Sequence, residues 1–393
     1  MMLYKIYSIF KRIKVVKSKR YDVLIWHSYN SEFIIKALPS NLFSLVYSNP
    51  NFELPIILTY SYFKGFFSKY LISKNIQISV QSSFIEEVRA KVIITYLANS
   101  GGPKYLHDFN LVSLQYYIEG PDDSFQNYHN YFSWGLSSKE YFELYKVNYN
   151  KYIRIGSLKL GCFYDEIVKN LDKDKSQNYI ALISCYRLVY EESGNYNFAY
   201  NLNREMELNK ETYNLNTRIK KAIEKLALED DYEFKIALAN SHKTEVEVNS
   251  EINFYSTIKP YIELQPNFNL GSYKLCYFSK LILTLNSALG YEMLALGKKV
   301  LFIVNEDKFL QYSNHIWIES ENLLYSHLPN ILKSSTDYEE MNKKIKYLEK
   351  LNQNEYLELT QAARDYYCIS PENTTSDFKK LINNIISNHD NSN

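Results

Sequence analysis

What the sequence lacks narrows its reading first. Four cysteines occur in 393 residues, Cys162, Cys185, Cys276 and Cys368, and no two of them form a CxxC pair. Zinc and disulfide frameworks need closer or more regular spacing, so these read as buried free thiols of a reducing compartment. An excess of charge of one sign is missing too: 45 Lys and Arg stand against 44 Asp and Glu, a net charge of +1. A dedicated nucleic-acid binder carries a basic excess, so that class is set aside. No apolar run reaches the roughly 20 residues of a membrane-spanning helix. The N-terminal apolar residues are broken too often by charge for a secretory signal. A cytoplasmic location is the expectation.

Missing motifs narrow the chemistry further. There is no GxSxG elbow, no P-loop, and no GxGxxG after the first strand. Hydrolase, NTPase and dinucleotide-oxidoreductase readings lose their usual marks. His107, His129, His242, His315, His327 and His389 join His27 without any HxxxH or HExxH spacing, and no metal site is expected. The DxD string Asp172-Lys173-Asp174 sits in a polar stretch and reads as a solvated turn, as do Asp122 and Asp123 after Gly120-Pro121.

What is present is globular: 46% hydrophobic and 23% charged residues, over a length that favours two domains. The 38 tyrosines, with abundant Asn, Lys and Ile, read as codon bias rather than as a functional signal. Residues 1–20 are basic without an acid, and Leu3, Ile6, Ile9, Phe10 and Ile13 recur at helical spacing. Such a segment is either a solvated leading helix or a peripheral contact with an anionic membrane.

Short apolar runs at Tyr21–Ser28, Phe43–Tyr47, Val92–Leu97 and Leu111–Tyr116 predict buried parallel strands, and the first domain is expected to end near Gly156 and Ser157, after the run Lys151–Ile155. Helical patterns at Tyr60–Leu71 and Ser83–Ala90 lie between them. After the polar linker Asn170–Asn178 a second series begins: strands at Tyr179–Ser184, Phe234–Leu238, Leu281–Asn286, Val300–Val304 and Ile316–Ser320, with helices at Asn216–Leu228, Asp337–Leu351 and Ser376–Ile386. The polar tail His389–Asn393 is expected to be disordered. Alternating strands and helices predict two βαβ domains, 1–168 and 169–393, the second including the C-terminal helices. Two such domains offer a cleft at the carboxyl ends of their strands.

The most informative stretch runs from Gly271 to Ile303, GSYKLCYFSKLILTLNSALGYEMLALGKKVLFI. It predicts a strand, a turn at Asn286-Ser287, a helix from Ala288 to Leu296 ended by Gly297, and a further strand. Ser287 and the amides behind it can hold a phosphate at the helix N-terminus. Gly290 leaves the backbone open to a ligand, and Glu292 can accept from ribose hydroxyls. Taken one at a time, Ser287 is equally a plain cap and Glu292 a solvent-facing acid.

This stretch resembles the signature of a family of bacterial surface-carbohydrate biosynthesis transferases first noted in spirochaete polysaccharide loci. Ser272 and Tyr273 match its Ser-Tyr pair. Ser287, Leu289, Gly290, Tyr291 and Glu292 match its Ser-Thr-Leu-Gly-Tyr-Glu turn, and Gly297, Lys298 and Lys299 its Gly-Lys-Lys end. Ala288 replaces the usual threonine. Weaker likenesses run through Asp22–Ser28 with Ser31 and Glu32, Val92–Ser100, Val112–Gly120, Tyr131–Gly135 and Ile155–Leu158, with departures at Ala98 and around Gln115.

The resemblance implies a GT-B architecture, two Rossmann-like domains facing a cleft. It also implies a metal-independent glycosyltransferase of capsule or lipopolysaccharide assembly, moving a sugar from a nucleotide donor, with CMP-activated acidic sugars among the donors of such enzymes, to a glycan or lipid-linked glycan acceptor. The donor side would comprise Ser272, Tyr273, Asn286, Ser287, Gly290, Glu292 and Arg187, with no cofactor. For the base that deprotonates the acceptor, Glu119 is the first candidate, with His27 and Glu32 behind it. His27 is equally a buried structural histidine, and Arg187 equally a partner of Glu191 or Glu192. Rival readings keep the fold: a nucleotide-sugar epimerase, or a polyol-phosphate transferase, whose His-Gly and His-Pro pairs are missing here. A non-catalytic scaffold is a third.

Overall fold

The computed structural model describes residues 12–17, 20–26, 30–47, 54–96, 110–115, 127–144, 146–171, 177–186, 202–239, 244–256, 258, 262–265, 270–285, 287–304 and 325–392. Its contacts divide the chain into two units, residues 1–165 with 371–393, and residues 166–370.

Among the described residues, the first unit contains eight strands: β1 (Ile13–Val16), β2 (Val23–Trp26), β3 (Ser44–Tyr47), β4 (Leu54–Ile57), β5 (Val92–Thr95), β6 (Leu111–Leu114), β7 (Asn127–Ser133) and β8 (Asn148–Arg154). Six form one parallel sheet in the order β3-β2-β5-β6-β7-β8, and β1 pairs with β4 alongside. The central strands read VLIW, VIIT and LVSL and are buried throughout, as strands covered on both faces must be. The described helices between and after them are α1 (Ser31–Ala37), α2 (Tyr60–Ser73), α3 (Ile76–Val88), α4 (Ser137–Leu144) and α5 (Leu158–Glu166). Trp26, Tyr47, Tyr62, Phe84 and Val88 centre the core between this sheet and α2–α3. The helix expected from Ser83 starts earlier, because the Asn75 side chain accepts from the Ile78 amide and caps it there.

The second unit has β9 (Gln177–Ile183), α6 (Leu202–Glu229), β10 (Phe234–Ala237), α7 (Glu245–Ser256), β11 (Ile262–Gln265), α8 (Gly271–Phe278), β12 (Ser279–Thr284), α9 (Ala288–Ala295), β13 (Val300–Ile303), β14 (Lys333–Ser334), α10 (Tyr338–Lys350) and α11 (Gln353–Tyr367). Its parallel sheet runs β11-β10-β9-β12-β13-β14. In order of appearance this is 3-2-1-4-5-6, the dinucleotide-fold order, whose direction reverses between the first and fourth strands. The strand expected at Ile316–Ser320 lies outside the described residues.

Two expectations are corrected at the ends of the chain. Ile13, read as part of an amphipathic helix, opens β1, where pairing with β4 and a bond from the Leu54 amide to the Arg12 carbonyl hold it extended. The tail from His389 is helical, not disordered: α12 (Thr374–Ser392) continues to Ser392, with Lys91 Nζ 2.8 Å from Asp390 Oδ2. This helix also packs on the first unit rather than with the second as expected. Thr374 Oγ1 donates to the Ile155 carbonyl at 2.6 Å, and Phe378 meets Phe132 edge-on. Among the described residues, no helix is long and apolar enough to cross a membrane.

Candidate functional site

The reversal in the second sheet places the ends of β9 and β12 side by side, with Ile183 opposite Thr284. Chain leaving adjacent parallel strands in opposite directions opens a crevice at their carboxyl ends, where ligands of such sheets bind. Beneath it lies a buried polar floor. Ser184 Oγ accepts from the Tyr186 amide at 3.1 Å and lies 3.1 Å from the Tyr255 hydroxyl. That hydroxyl is also 3.5 Å from Asn216 Oδ1, and burial pushes its pKa up. Glu251, fully buried, accepts from the Ala239 amide at 2.8 Å where β10 ends. Each of these polar atoms would be costly to bury unpaired, so the network is held as a unit.

Two helix N-termini adjoin this edge. α8 runs back from it into β12, and α9 leaves it after β12. The Tyr273 hydroxyl of α8 donates to Glu292 Oε2 of α9 at 2.5 Å, with Glu292 only 3% exposed. The pair therefore braces the first turn of α8 against the second turn of α9, and Glu292 is no solvent-facing acid. Neither terminus has a side-chain cap: Leu270 precedes α8 with φ 62°, and Ser287 precedes α9 with its hydroxyl making no cap bond. Elsewhere Thr59, Asn75, Asp337 and Asn352 cap α2, α3, α10 and α11. Ser272 Oγ is buried with no hydrogen-bond partner among the described residues. Orphan amides and the positive ends of two helix dipoles thus converge where an anion would be stabilised.

Gly290 has a role the sequence does not reveal. A Cβ there would come within 2.6 Å of Thr284 Cγ2 and 3.4 Å of Phe302, so its open side is filled by β12 and β13 rather than left for a ligand. Close helix–strand packing is the reason for the glycine. The Gly297-Lys298-Lys299 end is likewise structural. Gly297 takes φ 75° to end α9, and its amide and that of Lys298 return to the Leu294 and Met293 carbonyls. Lys299 Nζ binds the last carbonyls of α10, Leu351 at 2.7 Å and Glu349 at 3.3 Å. Burial pushes Lys298 down to about 8.

Of the other expected site residues, Glu32 is exposed in the first turn of α1. His27, Glu119, Arg187 and Asn286 lie outside the described residues, as does Ala98. Gln115 Oε1 accepts from the Trp134 amide at 2.6 Å, so this departure from the resembled pattern ties the end of β6 to the turn after β7. Asn216, Glu251 and Tyr255 were not foreseen. Their only trace in the sequence is the four-residue spacing that puts Glu251 and Tyr255 on one face of α7.

Comparison with known proteins follows this geometry. The wall teichoic acid polymerase TagF matches at 16% identity over 98% of this chain and 93% of that one, with a TM-score of 0.51. The UDP-GlcNAc 2-epimerase of Methanocaldococcus jannaschii matches at 10% identity over 94% of this chain and 100% of that one, also at 0.51. MnaA of S. aureus, solved with UDP, matches at 12% identity over 93% and 97%, at 0.50. At such identities the likeness establishes the GT-B fold and nothing finer. A search of curated protein sequences finds no match. Residues 143–386, more than half the chain, match the profile of a family described as "putative O-antigen biosynthesis protein", and the chain belongs to that family.

Proposed function

We propose that this chain is a glycosyltransferase of surface-polysaccharide assembly that takes a sugar from a nucleotide donor and passes it to a glycan or lipid-linked glycan acceptor. One observation carries the reading: two helix N-termini without side-chain caps, α8 and α9, braced by Tyr273 and Glu292 beside the reversal point of the second sheet. A donor diphosphate or monophosphate is the ligand whose charge suits such a place. Ser287 and the first amides of α9 receive the phosphate, Ser272 lends a second hydroxyl, and Tyr273 and Glu292 act as positioning residues. Asn286 and Arg187 come shortly after the two switch strands in the sequence and complete the donor set. The acceptor hydroxyl needs a base, for which Glu119 remains the candidate, with His27 and Glu32 as alternates.

Capsule and lipopolysaccharide are the glycans in view, with the reaction on the cytoplasmic side. An acidic, CMP-activated sugar is the donor first to be tried. The epimerase reading has the fold likeness to UDP-GlcNAc 2-epimerases in its favour. Thermal melting of the full chain with CMP, UDP, GDP, CDP and dTDP tests the proposal. A nucleotide at a hundred times its Kd raises stability by about 2.7 kcal/mol. One clear shift names the donor class, and turnover of that nucleotide-sugar only when a glycan acceptor is added separates transfer from epimerisation. No shift with any of the five, at millimolar concentration, would argue for the scaffold reading.

A further inference from the structure

Helix α2 wears its apolar stripe on the outside. Tyr60, Phe63, Phe67 and Leu71 are spaced three and four apart, so they share one face. All four are exposed, Tyr60 at 85%, Phe67 at 60% and Leu71 at 68%. The opposite face does the packing: Tyr62 is buried, and Gly65 lies against Ser83 of α3. A helix of a soluble domain turns its apolar stripe towards the core, and contiguous exposed apolar surface marks a binding face. Ile72 in the last turn of α2 and Ile76 and Ile78 at the start of α3 are also exposed.

Charge says what would cover it. Residues 54–85, which contain the whole patch, hold Lys64, Lys69 and Lys74 and not one Asp or Glu. Lys64 and Lys74 are exposed, while Lys69 pairs with Glu86 of α3. Strand β1 brings further cations to the same elements. It pairs with β4, immediately ahead of α2, and Arg12 Nη2 donates to Gln77 Oε1 of α3 at 3.3 Å. Lys14, Val15 and Lys17 along it are exposed. An apolar stripe rimmed by exposed lysines, with the neighbouring acids Glu86 and Glu87 bonded to Lys69 and to Thr59 and Ser61, is the chemistry of a helix lying in the interface of an anionic bilayer.

We infer that the α2–α3 hairpin with β1 is a docking surface for an anionic phospholipid membrane, the aromatic stripe entering the headgroup region and the lysines binding lipid phosphates. The surface lies wholly in the first unit, and the inference does not depend on the nucleotide site.

The test is co-sedimentation of the full chain with phosphatidylcholine vesicles, with and without phosphatidylglycerol. The expected result is binding that requires phosphatidylglycerol and weakens with salt. Phe67→Glu with Leu71→Glu should lower the partition at least about tenfold, equivalent to roughly 1.4 kcal/mol. Val246→Glu, at an exposed apolar position of α7, should leave it unchanged. Lys64→Glu with Lys74→Glu should lower binding and flatten the salt dependence, which keeps the test alive should the first pair melt early. Absence of binding to either vesicle, or a double-glutamate variant that sediments like the native chain, overturns the inference. So does self-association abolished by the Phe67 and Leu71 changes without any vesicle binding, which would assign the face to a second copy.

Discussion

The two units share a plan, six parallel strands with helices between, yet they put their polar groups in different places. The second unit buries Ser184, Asn216, Glu251, Tyr255, Tyr273 and Glu292 near the carboxyl ends of its strands and bonds all six to described partners there. The core of the first, around Trp26, Tyr47 and Tyr62, is aromatic, and its apolar surplus faces outward on α2. Among the described residues, the buried polar groups of the first unit, Thr95, Ser113, Gln115 and Ser133 among them, are all neutral, whereas the second also buries the carboxyl groups of Glu251 and Glu292.

The largest effect expected is at the brace. Glu292→Ala removes the acceptor of the buried Tyr273 hydroxyl and opens a cavity, and should cost about 2–4 kcal/mol in chemical denaturation. Tyr273→Phe, which removes the donor to the buried carboxyl instead, should cost a similar amount. The pair should be strongly non-additive in a double-mutant cycle. Additive effects would mean the two helices are not coupled through this bond.

Next comes Gly290→Ala, expected to cost about 1–3 kcal/mol despite the better helix propensity of alanine, because the Cβ meets the stiff Thr284 side chain. Thr284→Ser removes the methyl that is struck and should recover much of the loss. Recovery of stability without change in nucleotide affinity would fix Gly290 as a packing residue.

A smaller effect is electrostatic. Asp230 accepts from Lys346 Nζ at 2.8 Å, Tyr338 at 2.7 Å and Asn342 at 2.8 Å, and these bonds hold its carboxyl down to about 2. A carboxylate with a depressed folded pKa stabilises above its ordinary value, about 3.9 in an unfolded chain. That contribution is lost as pH falls from about 4 through 2. Asp230→Asn should therefore cost on the order of 1 kcal/mol at neutral pH, and the gap to the native chain should close near pH 2. A gap independent of pH would place the cost in packing instead.

Much of this plan was legible in the sequence, and the reasons are physical. Buried parallel strands are continuous apolar runs, so VLIW, VIIT and VLFI announced themselves, and the turn at Ser287 was found because a strand must end where a capping residue stands. What could not be read was whatever depends on two distant segments meeting. Tyr273 and Glu292 are 19 positions apart, and nothing local says that they bond. Gly290 looked open because only the fold brings Thr284 over it. The tail at His389 looked too polar to order, yet one ion pair from Lys91 and the anchoring of Thr374 sit on its helix. The stripe on α2 was visible as periodicity, but periodicity does not say which way a helix faces.

The central claim is that the uncapped start of α9 is a phosphate site, and Ser287→Asp tests it most directly. An aspartate there supplies the missing cap and a negative charge at the positive end of the helix. It should raise stability by roughly 0.5–1 kcal/mol while weakening nucleotide binding at least about tenfold, as read by calorimetry with the nucleotide that shifts the native melt. A variant that is more stable and still binds as the native chain does would show that the phosphate lies elsewhere.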